Sequence, residues 1–366
     1  MLPLARRRLA RLAGAVLALA APAAAQDAPP PPRPTVALVG LVQADFRLYP
    51  GDAGDAGTDG FLLRRARIEV GAQRGRLFAL GEVDFGEGEV TLTDGYVGAE
   101  VGRGVRVQVG RFKAPFGLES LRSSSALRFA ERALPTALSP RRDLGVMVRG
   151  VWNDERVEAA AGVFNGVPGG ASESGDRSDA KDVLARVFVR PGGVLDGLGV
   201  GLAVATGAER GTPDDPAVPV VATPGDRDVF EPRSGVVSDG RRVRIGPQAD
   251  LVTGPLLLVG EWTWAEQRVA TGEGADVVIR QRAWQASAVW SLTGETQTRD
   301  RLQPRRPLGA GGLGAVEVGA RVHGLRIADG AFGDAADPET QAAAVAAWGL
   351  TLVWTPVADA RLSASL

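Results

Sequence analysis

Cysteine is absent from this sequence of 366 residues, and histidine occurs once, at position 323. Without cysteine the protein has no disulfide framework and no thiolate-ligated metal site. Because His323 is the sole histidine, the chain also lacks the residues for a histidine-based metal site or a catalytic triad. We therefore expect no enzyme, no catalytic or metal-binding residues and no cofactor.

Long apolar segments are also scarce, and the clearest one lies at the N-terminus. Residues 1–25 contain four arginines between positions 6 and 11, continue with the apolar stretch Leu12–Ala20 and end in three alanines. That order is typical of a cleaved signal peptide, and the stretch is too short to cross a hydrocarbon core of ~30 Å as an anchor. We predict a signal peptide over 1–25 and a Pro-rich periplasmic spacer over 26–34.

Positive charge is not in excess. Removing the predicted signal peptide takes away four of the 42 basic residues and leaves 38 basic against 43 acidic residues, a net charge of −5. Proteins that bind nucleic acids usually carry clustered positive charge, so we expect no nucleic-acid partner.

In the rest of the chain, apolar and polar residues alternate with a period of two. In one segment, Val316, Val318 and Val322 are separated by polar residues that include Glu317 and Arg321. Strands with one apolar and one polar face produce this pattern. Fifteen strands are predicted, over about 35–48, 61–73, 76–86, 90–100, 104–113, 144–152, 155–164, 181–190, 198–208, 241–252, 255–268, 278–292, 313–327, 341–355 and 359–366. Their length of roughly ten residues suits tilted membrane strands, so we predict an all-β, transmembrane antiparallel β-barrel surrounded by outer-membrane lipid.

The predicted strands are joined mostly by short turns and long loops in alternation, which is typical of outer-membrane barrels. The long connections are 49–60, 113–143, 165–180, 209–240 and 328–340. One connection, 293–312, is long where a short turn is expected, and the strand pattern offers no reason for its length.

All seven tryptophans fall in predicted strands; they are Trp152, Trp262, Trp264, Trp284, Trp290, Trp348 and Trp354. Two interpretations stay open: interfacial aromatics of a barrel, or core tryptophans of a soluble β-sandwich. Single-chain bacterial barrels have an even number of strands. Because the fifteenth strand ends with the chain at Leu366, we expect a C-terminally truncated chain that lacks its last strand.

A series of short motifs runs through the chain in order. They are Phe61–Ile68 (FLLRRARI), Asp94–Tyr96 (DGY), Gly110–Glu119 (GRFKAPFGLE), Phe129–Leu134 (FAERAL), Arg141–Gly145 (RRDLG), Leu292–Glu295 (LTGE) and Trp354–Val357 (WTPV). In this order and at these spacings, the motifs resemble those of the phosphate-selective porin O and P family. Together they cover most of the chain after the signal peptide.

The resemblance implies a 16-stranded barrel that forms a homotrimer in the outer membrane, and we expect residues 35–366 to form it. It also implies that one long loop, 113–143 here, folds inward and lines a constriction. The chain departs from the family in having few aromatic residues and in lacking the C-terminal strand with its terminal aromatic.

Basic residues are concentrated around this loop. Residues 103–149 contain ten arginines or lysines and three acidic residues, a local charge of +7. Fixed positive charge in a narrow lumen selects anions. The candidate anion-binding residues at the constriction are therefore Lys113, Arg65, Arg67, Arg106, Arg128, Arg132, Arg141 and Arg142. Lys113 is the sharpest candidate because its compact ammonium group suits a phosphate oxygen; a salt bridge with Glu119 is the alternative.

Because alternate residues of a strand point to opposite faces of the sheet, the position of each arginine predicts whether it faces lipid or the lumen. This alternation places Arg65, Arg67, Arg106, Arg186, Arg242, Arg244 and Arg321 in the lumen. Arg64 falls on the lipid face, where we expect it to snorkel from the rim. For each lumenal arginine, the alternative to anion binding is an ion pair with a lumenal carboxylate that stiffens the wall.

Two functions stay open after this reading. The first is a channel for passive diffusion of small inorganic anions, with phosphate or polyphosphate as candidates. The second is an outer-membrane barrel with a plugged lumen that acts as a surface-binding or structural protein. A barrel enzyme would need a nucleophile and a base in the wall, and the sequence contains no such constellation.

Overall fold

A computed structural model describes residues 34–49, 59–168, 170–172, 175, 179–218, 220–223, 228–272 and 274–366. The predicted signal peptide and the spacer up to residue 33 lie outside the described residues. The strands are β1 (Thr35–Arg47), β2 (Gly60–Arg74), β3 (Leu77–Asp84), β4 (Thr91–Gly102), β5 (Val105–Lys113), β6 (Arg142–Trp152), β7 (Val157–Phe164), β8 (Asp182–Val189), β9 (Leu198–Arg210), β10 (Val221–Ala222), β11 (Asp228–Phe230), β12 (Val237–Thr253), β13 (Leu256–Ala270), β14 (Asp276–Ser291), β15 (Ala315–Ile327), β16 (Ala344–Val357) and β17 (Ala360–Ser365). The helices are short: α1 (Leu118–Leu121), α2 (Pro135–Leu138) and 3-10 turns at Gly86–Gly88, Ser124–Ala126 and Asp329–Ala331.

Fifteen of the strands form one antiparallel sheet in which each strand is hydrogen-bonded to its neighbours along the chain. Strand β9 pairs with β12, because β10 and β11 form a separate two-stranded sheet in the connection between them. Each of the fifteen predicted strands has its counterpart in the large sheet, so the predicted all-β architecture is confirmed. Alternation does not reveal β10 and β11, since two or three residues are too few to show a period.

Alternation along the strands separates an exposed apolar outer face from a buried inner face that holds most of the polar side chains together with some apolar ones. On β15, Val322 is 48% exposed, whereas the adjacent Arg321 is 7% exposed. Six of the seven tryptophans are 36–65% exposed; they are Trp152, Trp262, Trp284, Trp290, Trp348 and Trp354. Large exposed aromatics fit a lipid-facing surface and exclude the interpretation as core tryptophans of a soluble β-sandwich.

The two ends of the sheet differ in their connections. Short turns such as 75–76 and 254–255 lie at one end, the turn end, and most long connections lie at the other, the loop end. At the two edges of the sheet, β1 and β17 each have a hydrogen-bonded neighbour on one side only within the described ranges. In the part of the chain that is described, no helix has the length and hydrophobicity needed to cross a membrane.

A β-bulge at Arg64 corrects one predicted orientation. The register of β1 and β2 shifts between Gln43 and Ala44, which leaves Arg64 without an opposite residue. A bulge re-aims the side chain relative to strict alternation. The guanidinium group of Arg64 contacts the carboxylates of Asp45 and Glu131 on the inner side, so the predicted lipid-facing position is wrong.

The long connection at the turn end, residues 292–314, folds across that end of the barrel instead of forming a tight turn. The guanidinium group of Arg299 contacts the Asp250 carboxylate at 2.8 Å and the carbonyl oxygen of Gly197 at 2.6 Å. The backbone N–H of Gln297 donates to the turn between β12 and β13. The length that the strand pattern left unexplained therefore carries this segment from β14 to the turn between β8 and β9.

Candidate functional site

The connection between β5 and β6, residues 114–141, is called the inner loop here because it lies against the inner face of the sheet. Its side chains Leu118 and Phe129 pack with aliphatic side chains of β13 and β14, among them Leu257 and Val259. Burying a large apolar side chain stabilises a fold by ~1.5–3 kcal/mol. Apolar packing therefore holds the inner loop against the β13–β14 side of the interior.

Buried polar groups fix the same loop in place. Glu261 on β13 accepts hydrogen bonds from two backbone N–H groups at the start of α1. His323 Nδ1 accepts from the N–H of Leu134 at 3.0 Å, which gives the sole histidine a structural role. Arg128, 5% exposed, contacts the Glu317 carboxylate at 3.1 Å. Each of these groups satisfies a polar atom that burial would otherwise leave unpaired.

The segment 125–131 of the inner loop reaches both edges of the sheet. The N–H of Ala130 donates to the hydroxyl of Ser365 on β17 at 3.3 Å. The carboxylate of Glu131 contacts the guanidinium group of Arg47 on β1 at 3.3 Å. One short segment can touch the first and the last strand only because the sheet curls around it.

Carboxylates from outside residues 103–149 lie close to at least five of the ten cations of this segment, as far as the described residues show. The pairs within 4.0 Å are Arg106–Glu100, Arg122–Asp250, Arg128–Glu317, Arg142 with Glu82 and Asp94, and Arg149–Glu158. All of these acids lie outside the segment. The net charge around the inner loop is therefore lower than the +7 counted within the segment, because acids from other parts of the chain lie beside its cations.

The eight candidate residues fall into three groups. Four contact a carboxylate: Arg67, Arg106, Arg128 and Arg142. Three have no carboxylate oxygen within 4.0 Å among the described residues: Arg65, Lys113 and Arg132. The last, Arg141, is exposed where the inner loop meets β6.

Lys113 and Arg132 converge on one backbone oxygen. Lys113 Nζ donates to the carbonyl oxygens of Leu121 at 3.1 Å and Arg122 at 2.8 Å, and Arg132 Nη2 donates to the same Arg122 oxygen at 3.1 Å. The two donor nitrogens are therefore about 6 Å apart or less, a separation at which like charges disfavour each other's charged form. The alternative partner of Lys113, the Glu119 carboxylate, does not form the salt bridge within the described region.

Arg65 adds a third charge to this group. Its Nη1 donates to the neutral side-chain oxygen of Gln43 at 2.6 Å, and it interacts electrostatically with Arg132. Burial and nearby cations such as Arg142 lower the pKa of the Arg132 guanidinium to about 10, against the opposing effect of Glu119. A cation whose charged form is disfavoured in this way is stabilised by an approaching anion.

A row of aromatic rings crosses the inner face from β3 to β7. Phe78, Tyr96, Phe112 and Phe164 meet edge to face, with ring centroids 5.6–6.3 Å apart. The guanidinium carbon of Arg106 lies 5.3 Å from the centre of the Phe78 ring. The motifs do not single out this row, although each ring occupies an inner-face position of its strand, which is the signal that locates it.

Comparison with known proteins agrees with this geometry. The phosphate-selective porin O and P family matches residues 36–345. Among solved structures, the outer membrane channel DcaP of Acinetobacter baumannii is 11% identical, with a TM-score of 0.57 over 91% of this chain and 90% of that one. OmpT of Vibrio cholerae is 14% identical, with a TM-score of 0.53 over 91% of this chain and 85% of that one. A comparison with curated protein sequences finds no match.

Identities this low support the fold alone, and both structures carry the same outer-membrane barrel architecture. The family match spans most of the chain and includes the inner loop and both of its flanking strands. The chain therefore belongs to the phosphate-selective porin O and P family and is a porin of the outer membrane.

Proposed function

We propose that this porin passes small inorganic anions by passive diffusion, with phosphate and polyphosphate among them. The observation that carries the proposal is the group of three cations, Arg65, Lys113 and Arg132, that have no carboxylate within 4.0 Å in the described structure. We propose that these side chains line a constriction between the inner loop and the β2–β5 side of the barrel.

Electrostatics supports this assignment. Uncompensated positive charge in a narrow aqueous lumen raises the local concentration of anions and repels cations. Lys113 has three N–H donors and uses two of them on carbonyl oxygens, which leaves one for a solute oxygen. Arg65, Lys113 and Arg132 are all partly exposed, so water and solute can reach them.

The remaining candidates take other roles in this proposal. The ion pairs of Arg67, Arg128 and Arg142 hold strands and inner loop together, which is the alternative considered for each arginine. Arg106 pairs with Glu100 but stays half exposed beside an aromatic ring, so it adds a weaker positive field. Arg141 remains a candidate by its exposed position at the end of the inner loop.

A second candidate function rests on the filled interior. Three clusters of buried apolar side chains lie in the described structure, and each of them contains side chains from the inner loop that pack against residues of the strands. A barrel filled in this way could serve as a surface-binding or structural protein with no through-going path. Pore conductance separates this candidate from the first.

We also propose a homotrimer as the assembled state. One of the similar structures is described as the trimer form of OmpT of Vibrio cholerae; it is 14% identical, with a TM-score of 0.50 over 91% of this chain and 87% of that one. The broad apolar outer face of β1 and β2 is compatible with contact between subunits. Native mass spectrometry of the detergent-solubilised protein tests the proposal, since a monomeric mass would contradict it.

The test of the proposed function is planar-bilayer conductance of the refolded chain, with the reversal potential recorded in a KCl gradient and inorganic phosphate then added. We expect an anion-selective current that phosphate reduces. A cation-selective current would overturn the anion proposal, and an anion-selective current indifferent to phosphate would overturn the phosphate part. No conductance from a protein that is demonstrably folded would favour the plugged barrel.

A further inference from the structure

Glu131, on the inner loop, contacts two arginines of the barrel wall. Its carboxylate lies 2.5 Å from Arg64 Nη2 on β2 and 3.3 Å from Arg47 Nη2 on β1. We infer that Glu131 sets the strength of the anion preference by neutralising these two cations beside the constriction. The inference rests on the proposed anion channel and adds the residue that limits its selectivity.

The β-bulge brings this contact about. Because Arg64 is turned inward at the bulge, it reaches Glu131, the Asp45 carboxylate at 3.2 Å and the carbonyl oxygen of Ala130 at 2.9 Å. The bulge therefore adds a cation to the lumen beside Arg65, and Glu131 is the loop carboxylate that faces it.

The charge balance at this place is small enough for one carboxylate to change it. The cations grouped here are Arg47, Arg64, Arg65, Arg132 and Arg321. The acids beside them are Asp45, Glu119 and Glu131, which leaves a local charge of +2. Neutralising Glu131 raises that charge to +3. Its side chain is 26% exposed, so the added charge faces the solvent through which ions pass.

The backbone contacts around Glu131 do not depend on its carboxylate. The carbonyl oxygen of Glu131 accepts from Arg321, and Ala130 bonds both Ser365 and Arg64 through its own backbone. Neutralising the side chain therefore leaves the inner loop attached on both sides. If Glu131 were only an anchor, its loss would loosen the inner loop and weaken selectivity, which is the opposite of what we infer.

The test compares Glu131→Gln with the wild-type chain in the KCl-gradient measurement. We expect the permeability ratio of Cl⁻ to K⁺ to rise about two- to fivefold, the effect of one unit charge several ångströms from the ion path in water. The matched control is Glu89→Gln, which removes the same charge from an exposed loop-end position. It should leave the ratio unchanged. An unchanged or lowered ratio in Glu131→Gln would overturn the inference.

A second variant keeps the test decisive should Glu131→Gln not fold. Arg47→Gln removes a partly exposed cation and leaves Glu131 less compensated, so the Cl⁻ to K⁺ ratio should fall by a similar factor. A ratio that does not fall contradicts the inference. The proposed function fails separately, because it requires the wild-type chain to be anion-selective, whereas the inference concerns only the direction in which these variants move the ratio.

Discussion

The two sides of the barrel use positive charge in opposite ways. Along β12 and β15, Arg242, Arg244 and Arg321 are at most 7% exposed, and each lies within 4.0 Å of a carboxylate. Along β2 and the root of the inner loop, Arg65 and Lys113 are partly exposed and donate to neutral oxygens.

Burial explains this difference. A charge removed from water is tolerated only with an opposite charge and hydrogen bonds nearby. On the side formed by β12 to β15, called the packed side here, the buried arginines are therefore held in ion pairs. The inner loop leans on that side, with Phe129 among the side chains packed there. On the other side, Arg65 and Lys113 keep partial exposure to solvent, and their charge is met by neutral oxygens in place of carboxylates. The number of arginines in a segment is therefore a poor guide to anion binding, and the compensation of each one is a better guide.

The largest effect we predict comes from breaking the packed side at Arg128. Arg128→Ala leaves Glu317 buried without its cation, which typically costs 3–5 kcal/mol, so we expect the free energy of unfolding to fall by about that amount. The measurement is urea unfolding of the protein refolded into lipid vesicles. Arg106→Ala is the control, because its pair with Glu100 is exposed and should contribute about 0–1 kcal/mol. Equal losses in the two variants would contradict the comparison.

A smaller effect is expected on the side of β2 and the root of the inner loop, where a substitution should change ion selectivity more than stability. Lys113→Gln removes a charge that has no carboxylate oxygen within 4.0 Å among the described residues, so the Cl⁻ to K⁺ permeability ratio should fall about two- to fivefold. Arg244→Gln removes a fully buried charge and should leave the ratio unchanged while lowering the free energy of unfolding. A selectivity change of the same size in both variants would remove the distinction between the two sides.

The smallest effect concerns the turn-end segment 292–314, which extends the packed side. Burial raises the pKa of Glu295, but hydrogen bonds from Thr293 and Ser291 outweigh it and hold the pKa below its ordinary value of 4.5. A carboxyl with a depressed pKa stabilises the fold above its unfolded pKa, and that contribution disappears as the pH falls through the folded value. Glu295→Gln should therefore have a lower free energy of unfolding than the wild type at pH 6, and the difference should close towards pH 3.

The matched control for this pH effect is Glu339→Gln, which changes an exposed carboxylate whose backbone N–H, and not its side chain, makes the local hydrogen bond. Its free energy of unfolding should follow that of the wild type at every pH. A gap between Glu295→Gln and the wild type that is independent of pH would show that Glu295 acts through packing and not through its charge.

Strand positions were predictable because water and lipid impose opposite chemistry on alternate residues, as at Arg321 and Val322. The same rule fails at Arg64, where one inserted residue reverses the side on which the guanidinium lies. A bulge of this kind leaves no mark in the pattern of polar and apolar residues, since Arg64 and Arg65 look alike in the sequence.

The candidate site was predictable only in part, because charge compensation is a long-range property. Arg128 meets Glu317 across 189 positions of sequence, so a count of charges within one segment cannot include it. Lys113 stands out by its residue type, and its location beside Arg132 follows from the path of the inner loop. That path depends on apolar packing with β13 and β14, which no local pattern encodes.

The contacts of segment 125–131 also bear on the order in which the parts of the barrel fold. Ala130 bonds a strand 235 positions later in the chain, and Glu131 bonds one 84 positions earlier. Contacts between distant positions form slowly, because the intervening chain must first be brought together at an entropic cost. The inner loop can therefore settle only after the sheet has curled far enough to bring its first and last strands close. We therefore expect the charges that we assign to ion selection to reach their final positions late in folding, and a barrel halted before that step to show little preference for the sign of an ion.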